Sequence, residues 1–531
     1  MPPEQARDGR RAGAEQQCHP YPVVGRGHHL GPRAHRVVSA AGRQPAAPAS
    51  TPCPNDGHVL FPTIDFAIFF AVVFAVQWLL ASHAGAWKAF MVVASYVFYA
   101  WWDWRFIFLL AASTGIAYAG GRLVNPATGT RRKAMLWATL ALLLGLLGWF
   151  KYFGFLAVNI DNATHALGLG RPLPLVTVTL PVGISFFTFM AISYVVDIYR
   201  GVLRPARGID VTVYLAFFPH LIAGPIVRGT ELLPQIRSRR DPDNVHYVEA
   251  FWLISAGLAK KVVLSSYLSA NVVDPVFANP HQHSALEVLF AIWGYAVQIY
   301  ADFSGYTDIA IGLALLMGFR FPVNFKRPYT SIDLQDFWRR WHITLSFWLR
   351  DYLYIPLGGN RGSEWRISVN ILVTMLLGGL WHGASWTFVL WGAYHGVGQI
   401  IGRRRRAVRV ARGLPAEPTG RGRVARARFV TFQVVCIGWL FFRADTVGNA
   451  LAMLSRLVVG WGSSPLVTPL ALAAIAAGIA SQYLSDDWLI RGLKVFGDRR
   501  PVIQGGILGL VLLAITTLGP QGVAPFIYYR F

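Results

Sequence analysis

Charged residues are scarce in this chain. Asp, Glu, Lys and Arg make up 14% of its 531 residues, whereas 54% are hydrophobic and 14% are aromatic. A water-soluble domain carries about 25% charged residues. The composition therefore excludes a soluble globular protein and predicts an all-α, polytopic integral membrane protein. Apolar runs near the 20 residues or so that cross a bilayer recur from about residue 60 onwards, and we count about eleven to thirteen of them.

These apolar runs predict a series of helices separated by breaks in the pattern. The main ones lie near residues 61–80, 89–100, 107–121, 134–158, 176–198, 249–269, 284–302, 367–382, 429–443, 467–483 and 502–519. Between them, residues 211–236 lose the helical rhythm at Pro219, Gly224 and Pro225. Inside a membrane such backbone is tolerated only where protein or a water-filled cavity surrounds it, so we expect this segment to wall a cavity. His220 adjoins the break and is a weaker catalytic candidate for that reason.

Cysteine is almost absent. Cys18, Cys53 and Cys436 have neither metal-ligand spacing nor the even count of a disulfide framework. Cys436 lies in an apolar run, which is typical of an inert buried thiol rather than a nucleophile. The chain also lacks an internal repeat, which many transporter folds show.

Acidic residues are few: 26 Asp and Glu stand against 49 Lys and Arg, for a formal charge of +23. No soluble module interleaves basic and stacking aromatic residues, so the charge does not indicate a nucleic-acid partner. The strongest concentration is in residues 403–428, where ten arginines accompany one acid, Glu417. The positive-inside rule assigns this segment to a cytoplasmic loop.

Residues 1–57 differ from the rest of the chain. They are rich in Arg, Ala, Pro, Gly and His and contain no apolar core of a signal peptide. We expect a disordered tail, in which the scattered histidines are inert. The sequence from Val59 reads as a natural beginning of a membrane protein, and we hypothesise that translation starts there. Residues 58–531 are then the membrane domain.

Two carboxylates, Asp302 and Asp308, lie six residues apart in the segment DFSGYTD. Paired carboxylates can act as general acid and base or bind a cation. Arg320, Lys326 and Arg327 follow closely, and few other oxygen ligands are present. Helix capping and ion pairing therefore explain this pair at least as well as catalysis.

Two histidines in residues 331–396 are the main functional candidates. His382 lies in the motif WHG, fifteen residues after the apolar run begins at Ile367. At about 1.5 Å per residue this is roughly 22 Å into a hydrocarbon core of about 30 Å. An ionisable residue at that depth indicates a functional site with a partner. The partner we predict is His342, in the motif WRRWH. Residues 334–354 around it carry too many charges for a spanning helix, so we expect an interfacial or re-entrant helix.

A buried histidine is suited to take a proton from an alcohol, because imidazole acts as base and then as acid near neutral pH. The resulting oxygen can attack a thioester, and the acyl group then moves without a metal. The second histidine could orient the acceptor, stabilise the oxyanion or belong to the donor path. The spacing alone leaves another interpretation open, in which both histidines form hydrogen bonds between helices.

Four segments in this order carry a family resemblance: FFPHLIAGPIVR, DFSGYTDIAIGLALLMGFRFPVNFKRPY, DFWRRWHITLSFWLRDYLYIPLGGNRG and LWHGASWTFVLWGAYHG. Together they resemble the membrane-bound O-acyltransferase family, and within it the bacterial alginate O-acetylation proteins, with the D-alanyl-lipoteichoic acid transfer proteins as a more distant branch. The similarity runs from about residue 59 to the end, apart from the Arg-rich segment.

The resemblance implies a helical bundle around a central tunnel, with His382 at its narrow point and His342 as the second essential histidine. It also implies an acyl thioester donor, acetyl-CoA or an acyl carrier, that approaches from the cytoplasm as a substrate rather than as a bound cofactor. The acceptor would be a hydroxyl of a cell-surface polysaccharide, reached with an extracytoplasmic acetyltransferase-like partner protein. The place of action would be the bacterial inner membrane. The alternatives are D-alanyl transfer to teichoic acid, a transporter or flippase without acyl chemistry, and a structural scaffold.

Overall fold

The computed structural model describes residues 61, 63–169, 178–238 and 241–519, and in these ranges every regular element is helical. This confirms the all-α prediction. The tail of residues 1–57 and the start proposed at Val59 lie outside the described residues, and both stay predictions.

The helices follow one another with short connections. The α-helices are α1 Ile64–Leu79, α2 Ala84–Ala100, α3 Phe106–Val124, α4 Gly129–Ala166, α5 Ile184–Tyr199, α6 Gly208–Ala216, α7 Phe218–Leu221, α8 Gly229–Arg237, α9 Tyr247–Leu258, α10 Ser266–Leu268, α11 Asp274–Ala278, α12 Ala285–Leu316, α13 Leu334–Arg340, α14 Ile343–Leu349, α15 Glu364–His382, α16 Trp386–Ala411, α17 Arg421–Arg443, α18 Val447–Val459, α19 Pro469–Ala480, α20 Asp486–Gly497 and α21 Pro501–Leu518. The π-helical segments are Ala259–Ser265, Ser269–Val273 and Arg350–Tyr354, and the 3₁₀ turns are Pro242–Asn244, Pro280–Gln282, Pro328–Thr330 and Ser481–Tyr483.

Five of these helices, α3, α4, α12, α17 and α21, are long and apolar enough to cross a membrane. Five shorter apolar helices accompany them. The chain is therefore a multi-pass membrane protein. Helices α15 and α16 and the unbroken helical stretch 247–278 also have sufficient length but are less apolar, so the predicted number of crossings stays a prediction.

The Arg-rich segment is not the loop that its charge suggested. Helix α16 continues to Ala411 and α17 begins at Arg421, so only residues 412–420 connect them. Arginine is among the better helix formers, and a run of arginines therefore extends a helix readily where water can solvate the charges. The sequence-based prediction of a loop over 403–428 was wrong for most of its length.

Helix α12 lies at the centre of the bundle and is mostly buried. Ser284 and Glu287 form a capping box at its start, in which each satisfies a backbone N–H at the helix end. Near its middle, Asp302 pairs with Lys261 and Asp308 pairs with Lys260. Both lysines belong to the π-helical segment that precedes α10, so the two carboxylates join α12 to its neighbour. Ion pairing, one of the interpretations left open for these carboxylates, is confirmed, but the partners are these lysines and not the basic residues that follow at 320–327.

Residues 211–236 form three short helices and the turn between them, and their backbone break lies in the protein core. Ile226 N–H donates to Thr344 Oγ1 at 3.0 Å, which joins this segment to α14 directly after His342. His220 is buried between the rings of Phe217 and Phe321, at centroid distances of 5.9 and 5.4 Å. The segment therefore packs against the start of α14, next to His342. It lines neither of the two cavities described below.

Candidate active site

His382 is the last residue of α15. Ser363 caps the start of the helix, because its hydroxyl accepts from the N–H of Arg366, and the helix ends where Gly383 adopts an extended conformation. Helix α16 packs closely against it, because a Cβ atom at Gly392 would lie 3.1 Å from the Cα of Leu376 and closer still to a carbonyl oxygen of α15. Small residues let two membrane helices approach in this way. The close crossing fixes where the WHG motif lies.

His342 lies at a sharp break between α13 and α14. Its backbone adopts the left-handed conformation, with φ 42° and ψ 55°, which is uncommon for a residue other than glycine. Such strain persists only where the surroundings hold it, and it is frequent at functional sites. The stretch predicted as one interfacial or re-entrant helix is thus two α-helices of seven residues each, and the π-helical segment Arg350–Tyr354 continues the second. The turn directs the His342 side chain into the protein.

The fold brings the two histidines together. The ring centroids of His342 and His382 are 6.4 Å apart, although forty positions separate the residues in the sequence. Both are buried, with exposed fractions of 0% and 3%. Aromatic rings surround them: Phe186, Phe303, Phe325 and Trp381 around His342, and Trp381, Trp391 and Phe442 around His382. The pair therefore occupies a largely apolar, water-poor environment.

A hydrogen-bond network determines the orientation of His342. Asn324 Oδ1 lies 3.2 Å from His342 Nδ1 and also accepts from the N–H and the hydroxyl of Thr344, at 3.2 and 3.0 Å. Since a carbonyl oxygen can only accept, this arrangement assigns the proton to Nδ1 in the neutral ring. The lone pair is then on Nε2, which has no hydrogen-bond partner among the residues that the structure describes. His342 therefore has a free acceptor nitrogen in the ring that neighbours His382.

Lys151 of α4 is a site residue that the sequence reasoning missed. Its ammonium donates to the carbonyl oxygen of His382 at 3.2 Å, to that of Trp381, and to Ser185 Oγ at 3.1 Å. The last carbonyls of a helix have no partner within the helix, so the lysine satisfies the C-terminal end of α15. The signal was available, because Lys151 is a charged residue inside the apolar run 134–158 and such residues indicate function.

Another buried histidine, His395, follows on α16. Its ring lies 5.0 Å from that of Trp391 and 5.4 Å from that of Trp338. Neither ring nitrogen has a hydrogen-bond partner within the described ranges. A Cβ atom at Gly438 would come within 2.6 Å of its Nε2, so α17 needs glycine at this position. The ring of Trp391 contacts both His382 and His395, so His395 packs behind the part of the aromatic shell that Trp391 forms.

The two cavities that the structure describes lie away from the histidine pair. One, with a volume of about 360 Å³, lies against α12 and α17, and the other is lined by residues that include Arg122 and Arg204. Neither includes His342 or His382 among its lining residues. The tunnel that the family resemblance implies stays a prediction.

Comparison with known proteins gives consistent results. Residues 180–409 match the family model of the membrane-bound O-acyltransferase family, and both histidines fall inside this range. A probable alginate O-acetylase of Pseudomonas aeruginosa is 43% identical over 68% of this chain and 68% of its own length. Another from Pseudomonas putida is 39% identical over 83% of this chain and 94% of its own length. A peptidoglycan O-acetyltransferase of Helicobacter pylori is 34% identical over 70% of this chain and 73% of its own length.

Proposed function

Since this chain belongs to the membrane-bound O-acyltransferase family and is an O-acyltransferase, we propose that it moves an acetyl group from a cytoplasmic thioester towards a hydroxyl of a cell-surface polysaccharide. The relatives support the acetyl group and the polysaccharide, because those described above are named as probable alginate O-acetylases and as a peptidoglycan O-acetyltransferase. The place of action in this proposal is the inner membrane of a bacterium.

The observation that carries the mechanism is the approach of His342 and His382 to 6.4 Å between ring centroids inside a shell of aromatic side chains. A single buried histidine is common in a protein core. Two of them at this distance, one with a free acceptor nitrogen and one at a helix end held by a half-buried lysine, are arranged to handle protons.

In the proposed reaction His382 acts as the general base. It takes the proton of the acceptor hydroxyl while that oxygen attacks the thioester carbonyl carbon, which forms the new C–O bond. The tetrahedral intermediate collapses with cleavage of the C–S bond, and the proton passes from His382 to the leaving thiolate. His342 Nε2 accepts a hydrogen bond from a neighbouring hydroxyl of the acceptor and so orients it. The aromatic shell excludes water, which would otherwise hydrolyse the thioester.

The donor in this proposal is a substrate, acetyl-CoA or an acetylated carrier, rather than a bound cofactor. Delivery to a polymer outside the membrane would need an extracytoplasmic acetyltransferase-like partner that receives the acetyl group. D-Alanyl transfer to teichoic acid uses the same bond changes with a different acyl group. It is the first alternative, and transport without acyl chemistry is the second.

The experiment is acetyl transfer from radiolabelled acetyl-CoA in membranes that contain the wild type, His382→Gln or His342→Gln. Glutamine keeps most of the side-chain volume and removes the base. We expect His382→Gln to lose activity by about a hundredfold or more, because general base catalysis contributes about 10² to 10⁴. His83→Gln, an exposed histidine between α1 and α2, is the matched control and should keep wild-type activity.

Full activity of a normally expressed His382→Gln protein would contradict the mechanism. A larger loss in His342→Gln than in His382→Gln would assign the base to His342 instead. Transfer of D-alanine but not of acetate by the wild type would favour the first alternative. Membranes in which neither group is transferred, with donor and partner supplied, would favour transport.

A further inference from the structure

The apolar one of the two cavities opens on the outer surface of the helical bundle, between α12, α17 and the end of α19. Its volume is about 360 Å³, and its apolar walls include Trp293, Phe432 and Ile479. Two further lining side chains, Phe429 and Tyr483, are 61% and 51% exposed. Because α17 is a candidate membrane span, these exposed rings face lipid, and so does the mouth of the cavity.

Two polar side chains in this cavity have unused donors. Arg428 Nε and Gln433 Nε2 are buried and have no hydrogen-bond partner in the part of the chain that the structure describes. The amide oxygen of Gln433 is occupied, because it accepts from the indole N–H of Trp293 at 3.0 Å, so its free group is a donor. Buried donors without a partner are costly, and an acceptor ligand would satisfy both of them.

Arg428 is also a cation without a carboxylate. Its guanidinium lies 5.6 Å from the ring centroid of Tyr483, and no described acidic side chain pairs with it. Other arginines of this hairpin have such partners, as Arg403 does in Glu364 and Arg406 in Asp333. A positive charge in an aromatic pocket beside the membrane is therefore left for an anion from outside the chain.

The charge around the cavity favours the same ligand. Arg428 lies seven residues into α17, or about 10 Å from the end of the helix. Arg421, Arg423 and Arg426 occupy the preceding turns and are exposed. Basic pockets between membrane helices on the cytoplasmic side bind the headgroups of anionic lipids. A soluble anion would bind to the arginines but would make no contact with the apolar side chains that line the cavity.

We propose that this cavity is a binding site for an anionic phospholipid of the cytoplasmic leaflet. The phosphate lies against Arg428 and the free amide of Gln433. One acyl chain runs along Phe429 and Ile479 into the bilayer, since the cavity can hold only part of a lipid. The site is separate from the histidine pair and does not depend on the acyl-transfer proposal. One connection to that pair runs through Tyr329, a lining residue whose ring lies 6.2 Å from that of Trp341, directly before His342.

The test is native mass spectrometry of the full-length protein with equimolar phosphatidylglycerol and phosphatidylcholine that carry identical acyl chains. Arg428→Gln removes the cation, and Ala425→Trp fills the cavity but keeps every charge, since Ala425 is an exposed lining residue. Arg426→Gln is the matched control, because Arg426 is an exposed arginine of the same helix that does not line the cavity. Thermal unfolding of each variant checks that the fold is intact.

We expect the wild type and Arg426→Gln to retain phosphatidylglycerol in preference to phosphatidylcholine. Arg428→Gln should lose about fivefold in phosphatidylglycerol affinity, the usual contribution of one arginine near anionic headgroups. Ala425→Trp should lose the lipid as well. Wild-type retention by a folded Ala425→Trp protein would overturn the proposal, because the lipid would then bind elsewhere on the basic surface. The absence of any preference in the wild type, or displacement of the lipid by inorganic phosphate alone, would overturn it too.

Discussion

Lys151 Nζ donates a hydrogen bond to the carbonyl oxygen of His382 at 3.2 Å, across 231 positions of the sequence. The same ammonium holds Ser185 Oγ at 3.1 Å and lies 5.7 Å from the ring centroid of Trp381. A lysine at the carbonyl end of a helix is favourable both for the helix dipole and for the unpaired carbonyl groups. Here it also fixes the position of the proposed base, and we regard Lys151 as a positioning residue.

We predict that Lys151→Met lowers the rate of acyl transfer by about 10- to 100-fold, since a displacement of about 1 Å at a reacting group has an effect of that size. Methionine has a similar length but cannot donate. The measurement is the initial rate against donor concentration, and kcat should fall while the KM for the donor changes little. Lys133→Met, an exposed lysine of the same helix, is the control. Partial recovery in Lys151→Arg is expected, and an unchanged kcat in Lys151→Met would contradict the role.

The tautomer of His342 is expected to depend on Asn324. In Asn324→Leu the Nδ1–H group of His342 loses its acceptor, so the ring is no longer held in the tautomer that leaves Nε2 as an acceptor for the substrate. The rate of acyl transfer should therefore drop by about tenfold or more. Thr344→Val removes one of the other two hydrogen bonds to Asn324 and the acceptor of the Ile226 N–H, but it keeps the hydrogen bond of His342, so its loss of activity per folded protein should be smaller. Acyl-transfer rates in membranes with matched expression measure both variants. Equal rates in Asn324→Leu and the wild type would show that the hydrogen bond has no functional role.

The crossing of α15 and α16 makes Gly392 sensitive to substitution. A methyl group there would meet the backbone of Met375 and Leu376, which cannot move away as a side chain can. We predict that Gly392→Ala destabilises the protein by about 1–3 kcal/mol, the usual cost of overpacking, and lowers activity because His382 moves with α15. Gly402→Ala in the same helix meets no atom within 4 Å and serves as the control. Melting temperatures in detergent compare the two, and equal values would contradict the close crossing.

The ion pair between Asp351 and Arg228 is expected to depend on pH, and Asp351 belongs to the π-helical segment that follows α14. Burial raises the pKa of Asp351, but hydrogen bonds from Arg350 and Arg228 outweigh it and hold that pKa below its usual value. Arg228 lies 2.7 Å from the carboxylate. A group whose pKa is depressed in the folded state stabilises the protein above its unfolded pKa of about 3.9, and this stability is lost as pH falls through the folded value.

Asp351→Asn should therefore lower the melting temperature at pH 7, with a cost of about 1 kcal/mol for a partly exposed pair. The difference from the wild type should shrink as the pH is lowered below about 4. Asp445→Asn, whose carboxylate is 75% exposed and 3.5 Å from its arginine, should have little effect at either pH. A difference between Asp351→Asn and the wild type that stays constant over this range would rule out the proposed titration.

The amino-acid sequence by itself determined the membrane character, the helical class and the two candidate histidines, because each of these depends on local properties. Apolar run length indicates a span, and an ionisable residue such as His382 inside a run indicates a site. The loop predicted over 403–428 shows the limit of local reasoning, since charge indicates the side of the membrane but not whether the backbone is helical.

The tertiary structure alone decided how these residues meet. The sequence predicted His342 as the partner of His382. No periodicity shows, however, that Asn324 directs the proton of His342 or that Lys151 reaches the end of α15. These contacts join residues that are 18 to 231 positions apart. They arise from the packing of helices at small residues and from a left-handed turn at His342, which only the folded chain can hold in place.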